Sequence, residues 1–172
     1  MPSEIGKQRL FDLLEELDKE LSEKIRITAV GGTAMTLLGL KNSTLDIDFD
    51  VESKNRETLR KAFDSLASGY KIDLFFDGLI FAQQLPGDYA KKAIPVKKKF
   101  DHIELFALSS LDVLVSKIAR FNDRDEQDIK SCIKKAGLLR KQVKERAEQL
   151  GLVAVKEEDF KYHLKLVLGK MF

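Results

Sequence analysis

Residues 45–51 alternate without a break: Leu45, Ile47, Phe49 and Val51 are apolar, and Asp46, Asp48 and Asp50 are acidic. Side chains alternate faces along a β-strand, so the pattern predicts a half-buried strand with three carboxylates on one face. Same-face neighbours lie roughly 7 Å apart, close enough for Asp46 and Asp48 to hold a cation between them. Aspartate is depleted in strands, and like charges side by side repel. Several aspartates on one strand therefore need either a counter-ion or open water. Oxygen ligands of this kind suit Mg²⁺ or Mn²⁺. On spacing alone, a solvated edge strand accounts for them equally well.

Two further features bear on that choice. Asp73 sits in Ile72-Asp73-Leu74-Phe75-Phe76, a predicted strand that is otherwise apolar. A lone carboxylate there is costly unless it is paired or binds an ion. If the two strands are neighbours, Asp73 converges with Asp46 and Asp48; a rim position satisfied by Lys or Arg is the plainer account. Gly31-Gly32-Thr33 follows a β-branched run over 25–30 and opens a short apolar helix over 33–40. Glycines at such a turn let backbone approach a phosphate, and the helix start presents free N–H groups. Thr33 offers a hydroxyl donor. Alone, Gly-Gly-Thr is more often just a tight strand-to-helix turn. With an acidic strand shortly after it, phosphate and divalent ion gain adjacent binding sites.

The rest of the pattern is mixed at first and helical later. Leu10, Leu13, Leu14, Leu17 and Leu21 predict an amphipathic helix over 3–23. A helix is expected over 56–66, and extended segments over 93–96 and 103–108. Ser109 and Asp112 have the spacing of a capping box at a helix start. Further helices are predicted over 125–136, closed by Gly137, through Leu139, Val143, Ala147 and Leu150, closed by Gly151, and over 157–168. This divides the chain into a first domain, 1–108, and a C-terminal helical region, 109–172, packed on it. A chain of 172 residues has room for one core with a helical appendage, not for two full domains.

Thirty Lys and Arg nearly cancel 28 Asp and Glu, so net charge calls for neither a nucleic-acid nor a membrane partner. With a single cysteine, Cys132, no internal disulfide or thiol-rich zinc site is available, and a reducing compartment is expected. The polar N-terminal stretch is unlike a signal peptide and no apolar run spans a bilayer, so a cytoplasmic protein is expected. His102 and His163 match no ligand spacing and are read as surface or rim residues. Cys132, spaced with Ile129 and Ile133, is read as packing. Lys97-Lys98-Lys99 is read as a solvated hairpin tip. Lys117 and Arg120 share a helix face, with Arg124 close beyond the bend. They are candidates to hold a triphosphate or the charge developing on a transferred group. A structural ion-pair cluster is the preferred account of Asp125 and Asp128.

Gly31-Gly32-Thr33, a short helix and then Asp46-Ile47-Asp48-Phe49 resemble the signature of the DNA polymerase β-type nucleotidyltransferase superfamily. The segment Lys41-Asn42-Ser43-Thr44-Leu45-Asp46-Ile47-Asp48 is similar to the Arg-x-Thr-x-Asp-x-Asp stretch of prokaryotic abortive-infection/toxin-type members, with Lys41 near where those often carry Arg. Asp73 resembles the third carboxylate of the superfamily. Lys117-Ile118-Ala119-Arg120, Arg124-Asp125 and Asp128 resemble the Lys-x-x-Arg and Arg-Asp-x-x-Asp pieces that follow the catalytic domain. Thr33 stands where many members have Ser. The resemblance implies an α/β (α+β) fold, a mixed sheet flanked by helices with a C-terminal helical bundle. It implies Mg²⁺-dependent (or Mn²⁺-dependent) transfer of an NMP group from an NTP to a hydroxyl acceptor: an RNA end such as that of tRNA, a protein, or a small molecule such as an aminoglycoside. In that reading Asp46, Asp48 and Asp73 are the catalytic and metal-binding carboxylates. Gly31, Gly32, Thr33, Lys117 and Arg120 bind the nucleotide. Several prokaryotic members have no established activity. The alternative is therefore a non-catalytic binding or regulatory protein on the same fold, such as a partner in a toxin–antitoxin pair.

Overall fold

The computed structural model describes residues 3–66 and 69–172, so the first two residues of the polar N-terminal stretch lie outside it. In chain order the elements are β1 (Ile5–Gly6), α1 (Lys7–Lys19), β2 (Ile25–Ala29), α2 (Gly31–Leu37), β3 (Ser43–Thr44), β4 (Ile47–Val51), α3 (Arg56–Ser65), β5 (Ile72–Phe76), β6 (Leu79–Ile80), β7 (Gln83–Gln84), α4 (Tyr89–Lys92), β8 (Ile94–Pro95), β9 (Ile103–Ala107), α5 (Ser110–Ser116), α6 (Asp123–Ala136), α7 (Arg140–Ala147), β10 (Gly151–Leu152) and α8 (Glu157–Lys170). Eight strands form one sheet in the order β10-β7-β6-β5-β4-β2-β9-β8, and β1 pairs with β3 apart from it. β2 runs parallel to β9 and β4 parallel to β5, whereas β2 and β4 are antiparallel. The architecture is the expected mixed sheet flanked by helices. No helix among the described residues is long and apolar enough to cross a membrane.

Paired residues share a sheet face, and neighbours along a strand alternate, so the two faces sort by chemistry. Ile27, Ala29, Ile47, Phe49, Ile72 and Leu105 lie on one face and are all buried. Phe63 of α3 stacks on Phe49 there, with ring centroids 6.0 Å apart. Burying each such large apolar side chain contributes roughly 1.5–3 kcal/mol. The opposite face carries Thr28, Asp48, Asp50 and Asp73.

Several boundaries differ from the expected ones. β4 starts at Ile47 rather than at residue 45. Thr44 pairs with Ile5 in the separate ribbon, and the Asp46 carbonyl accepts hydroxyl hydrogen bonds from Thr33 (3.1 Å) and Thr44 (2.9 Å), which hold a bend ahead of the strand. All five residues of β4 are buried, so it is a central strand and not a half-open one. α1 starts at Lys7, because Ile5 and Gly6 are taken by strand pairing. Gly151 opens β10 instead of closing α7. The chain beyond residue 108 is accordingly not all helical: β10 pairs with β7 at the sheet edge, while α5 packs on α2, α6 and α7. Arg146 of α7 ties this part together. Its guanidinium meets the fully buried Asp112 of α5 in a bidentate pair and Asp88 at 2.8 Å.

Candidate functional site

The site is built where β4 and β5 run side by side. Their parallel register sets Asp48 directly beside Asp73. Adjacent strands are about 4.8 Å apart, so the two carboxylates crowd one another. Asp46, exposed in the bend before β4, completes the acidic corner. Asp48 is 7% exposed. Its backbone N–H donates to Thr33 Oγ1 at 3.0 Å, but among the described residues no hydrogen bond or ion pair reaches its carboxylate. Burial first, then the charges of Asp73 and Asp46, push its pKa up to about 7, against the pull of Lys117 and Lys71. Asp73 is more open, its side chain 42% exposed and 3.7 Å from Lys71 Nζ.

Asp50, two residues along the same face, belongs elsewhere. Its carboxylate accepts from Gly78 N at 3.0 Å and from the Tyr89 hydroxyl at 2.7 Å. Burial raises its pKa despite those bonds. The three aspartates of the alternating strand therefore divide: Asp46 and Asp48 turn to one cavity and Asp50 is spent inside the fold.

The glycine turn opens α2 beside the acidic corner. Gly31 sits at φ +55°, which favours glycine, and a Cβ there would lie 3.3 Å from the Phe81 ring and 3.4 Å from Asp48 Oδ2. A Cβ on Gly32 would lie 2.6 Å from Thr44 Oγ1. Both glycines thus let protein side chains close in on the turn, and both also face the cavity. Thr33 does not match its expected role. It is fully buried, its hydroxyl donates to the Asp46 carbonyl, and its oxygen accepts from Asp48 N–H. It braces the turn against the acidic strand and offers no hydroxyl to a ligand.

Cations face the carboxylates from the helical side. Lys117, just past α5, is 6% exposed, with Nζ 3.0 Å from Asp128 and 3.8 Å from Asp125 of α6. Arg120 grips Asp125 through two bonds of 2.7 Å. Burial raises the Asp125 pKa, but the hydrogen bonds from Arg120 and the Asn122 backbone outweigh it and hold the group below the usual carboxylate range. Lys41 reaches Asp128 at 3.3 Å. Asp125 and Asp128 are thus the anchors of the cations, in line with the structural reading preferred for them.

These groups surround one cavity of about 180 Å³, lined by Gly31, Gly32, Asp46, Asp48, Asp73, Lys117 and Arg120 together with Lys41, Thr44, Lys71, Phe81, Arg124, Asp125 and Asp128. All the sequence-predicted site residues except Thr33 meet there. Asp46, Asp48 and Asp73 stand on the sheet side, with Lys71 beside Asp73, and Lys117 and Arg120 stand opposite on the helix side, an arrangement able to receive a phosphate chain with its counter-ion. Among the described residues, no group of three or more His, Cys, Asp or Glu side chains is arranged to hold a metal ion by itself.

Lys41, Lys71 and Phe81 were not singled out as site residues from the sequence. Phe81 lies on the turn between β6 and β7, and its ring meets Phe75 edge-on at 4.9 Å. The nearest signal is the preceding turn, Asp77-Gly78, both at positive φ, an Asp-Gly turn that joins β5 to β6 between Phe76 and Leu79. Cys132 is fully buried, which agrees with a packing role, and burial raises its pKa to about 12. His102 and His163 are partly buried and rest on the carbonyls of Asp18 and Ala119.

Comparison with known proteins places residues 8–167 in a family described as "Nucleotidyltransferase of unknown function (DUF6036)". No curated protein and no solved structure matches the chain.

Proposed function

Because the chain belongs to this nucleotidyltransferase family of unknown function, we propose that its cavity binds an NTP with Mg²⁺ or Mn²⁺ and that the protein transfers the NMP group to a hydroxyl acceptor. The observation that carries the reading is Asp48: a buried carboxylate, unpartnered, set between Asp46 and Asp73 and facing a wall of cations. A structural sheet has no use for such a group, whose isolation is costly.

A divalent ion fits these residues as a partly filled site, with carboxylates completed by water and substrate phosphate, as Mg²⁺ commonly prefers. Asp46 and Asp48 would hold it, with Asp73 alongside. When bound, the ion neutralises charge on the triphosphate and on the departing pyrophosphate. The chain's own residues do the rest. The acceptor oxygen forms its bond to the α-phosphorus as the bond to pyrophosphate breaks. Asp73, more open than Asp48, takes the acceptor's proton. Lys117 and Arg120 steady the phosphate oxygens, themselves fixed by Asp125 and Asp128. Gly31 and Gly32 keep the turn low enough for the phosphates to approach. Kinship with abortive-infection/toxin-type members, and with it a toxin–antitoxin partner, is part of this proposal. It draws support from the segment from Lys41 to Asp48 and from the cluster formed by Lys117, Arg120, Asp125 and Asp128.

The test is transfer of α-labelled nucleotide to acceptors in a total RNA and protein extract, with all four NTPs and with Mg²⁺ or Mn²⁺. Wild type is expected to incorporate label and Asp48→Asn to lose it while remaining folded. Incorporation that survives Asp48→Asn overturns the mechanism. No incorporation by wild type, with NTP binding retained, favours a non-catalytic binding protein on the same fold.

A further inference from the structure

A second cavity, of about 270 Å³, adjoins the first. Phe81, Lys117 and Arg120 line both, and Gln83 and Ser116 complete the second. Gln83 is 1% exposed. Its Nε2 donates to the Ser116 carbonyl at 2.8 Å. That carbonyl can only accept, so the amide orientation is set and Oε1 is left as a pure acceptor. Oε1 is the buried side-chain polar atom that lacks a hydrogen-bond partner among the described residues. Nearly all buried polar atoms are satisfied in native proteins, and an orphan one calls for an explanation.

The surroundings indicate what would satisfy it. Phe81 supplies an aromatic wall, with the Arg120 guanidinium 5.9 Å from its ring centroid. Flat π-faces and guanidinium planes are the surfaces on which nucleobases stack. Phe81 is held there against its own backbone preference. It and Ala82 take φ values of 47° and 63°, a left-handed pair unusual for non-glycine residues. The turn is braced from outside, since Val153 N and Ala154 N both donate to the Ala82 carbonyl.

Resting on the nucleotide reading above, we infer that this second cavity receives the base of the bound NTP. Gln83 Oε1 there accepts a hydrogen bond from the amine at C6 of a purine or C4 of a pyrimidine, so that ATP and CTP bind in preference to GTP and UTP, which carry a carbonyl at that position. The chemistry follows from the fixed amide. An amine at that ring position donates to Oε1. A ring carbonyl in its place sets two acceptors against each other. A base with hydrogen there leaves Oε1 unsatisfied.

The test reads binding, without acceptor and so without transfer, by calorimetry in Mn²⁺. The probes are ATP, purine riboside 5′-triphosphate, inosine 5′-triphosphate, CTP, UTP and inorganic tripolyphosphate. ATP is expected to bind about 5- to 10-fold more tightly than purine riboside triphosphate, with inosine triphosphate at least as weak as the latter. CTP is expected to exceed UTP by a similar factor. In Gln83→Met these differences collapse while tripolyphosphate affinity is unchanged. Should that variant fail to fold, the comparison of ATP with purine riboside triphosphate on wild type decides alone. Equal binding of all the nucleoside triphosphates overturns the base reading, with Oε1 then satisfied by a trapped water, and leaves the nucleotide site standing. No binding by any triphosphate removes the nucleotide reading and this inference with it.

Discussion

Asp48 combines burial with two neighbouring like charges, and this has consequences for stability as well as chemistry. Its folded pKa, about 7, lies above the ordinary value of 3.8, so the folded state favours the neutral acid. The stabilisation is complete below pH about 4 and is lost as pH rises through about 7. Asp48→Asn keeps the shape and removes the charge. It should stabilise the fold at pH 8 but not at pH 4, by on the order of 2–3 kcal/mol. Unfolding curves at the two pH values check this; an equal shift at both contradicts it. Gly31 is the other exacting residue. Gly31→Ala places a side chain at φ +55°, against Phe81 and Asp48, and should cost about 1–3 kcal/mol in chemical denaturation together with nucleotide affinity. The carboxylates and glycines of the site were legible in the sequence because they stand in short, regular spacings. Thr33 was misassigned because spacing places a residue beside a turn without saying where its hydroxyl points, and here the backbone of Asp46 and Asp48 claims it.

Elements with long-range regular patterns, β4, β5, α3 and α6, were readable to within a residue or two, because periodic burial demands periodic sequence. α6 also carries its own punctuation: Asn122 and Asp125 form a reciprocal capping box, and Gly137 ends the helix at φ 65°. The hairpin strands β6 and β7 were not readable. Each has two residues, too few for alternation to show, and their turn uses Phe81-Ala82 where Asn or Gly is usual. Asp18 was equally hidden. It lies on the buried side of α1, and its carboxylate accepts three backbone N–H groups, from Asp101, His102 and Ile103, each at 2.8 Å. Burial raises its pKa, but those N–H bonds prevail and depress it. Its stabilisation is therefore present above the unfolded value near 3.8 and is lost as pH falls below it. Asp18→Ala should destabilise by roughly 2–4 kcal/mol at pH 7 and by much less near pH 3. Denaturant titrations at the two values test this, and a loss independent of pH contradicts it.

At the scale of the whole molecule, the sheet side supplies Asp46, Asp48 and Asp73 and the C-terminal helical part supplies Lys117 and Arg120, so the cavity exists only when the two are docked. Two buried pairings, Lys117 with Asp128 and Arg146 with Asp112, hold the helical part together, and Lys41 with Asp128 and Arg146 with Asp88 join it to the rest. Arg146→Ala would leave Asp112 buried without its partner and should cost about 3–5 kcal/mol, whereas Arg146→Met with Asp112→Leu should recover much of the loss. Thermal unfolding of the two variants checks this, and a double variant no more stable than the single one contradicts it. The mixed fold followed from where hydrophobic periodicity changes. That β10 returns to the sheet edge, and that Arg146 reaches both Asp88 and Asp112, depends on contacts distant in sequence, which no local pattern encodes. The central claim is that the corner formed by Asp46, Asp48 and Asp73 is a divalent-ion site. Thermal unfolding at pH 8, where Asp48 is ionised, tests it directly, using wild type and the double variant Asp46→Asn, Asp48→Asn with and without Mn²⁺. An ion that binds only the folded state should raise the wild-type melting temperature by roughly 5–10 °C at a hundredfold excess over its dissociation constant. It should leave the double variant unmoved; an equal response from the two proteins contradicts the claim.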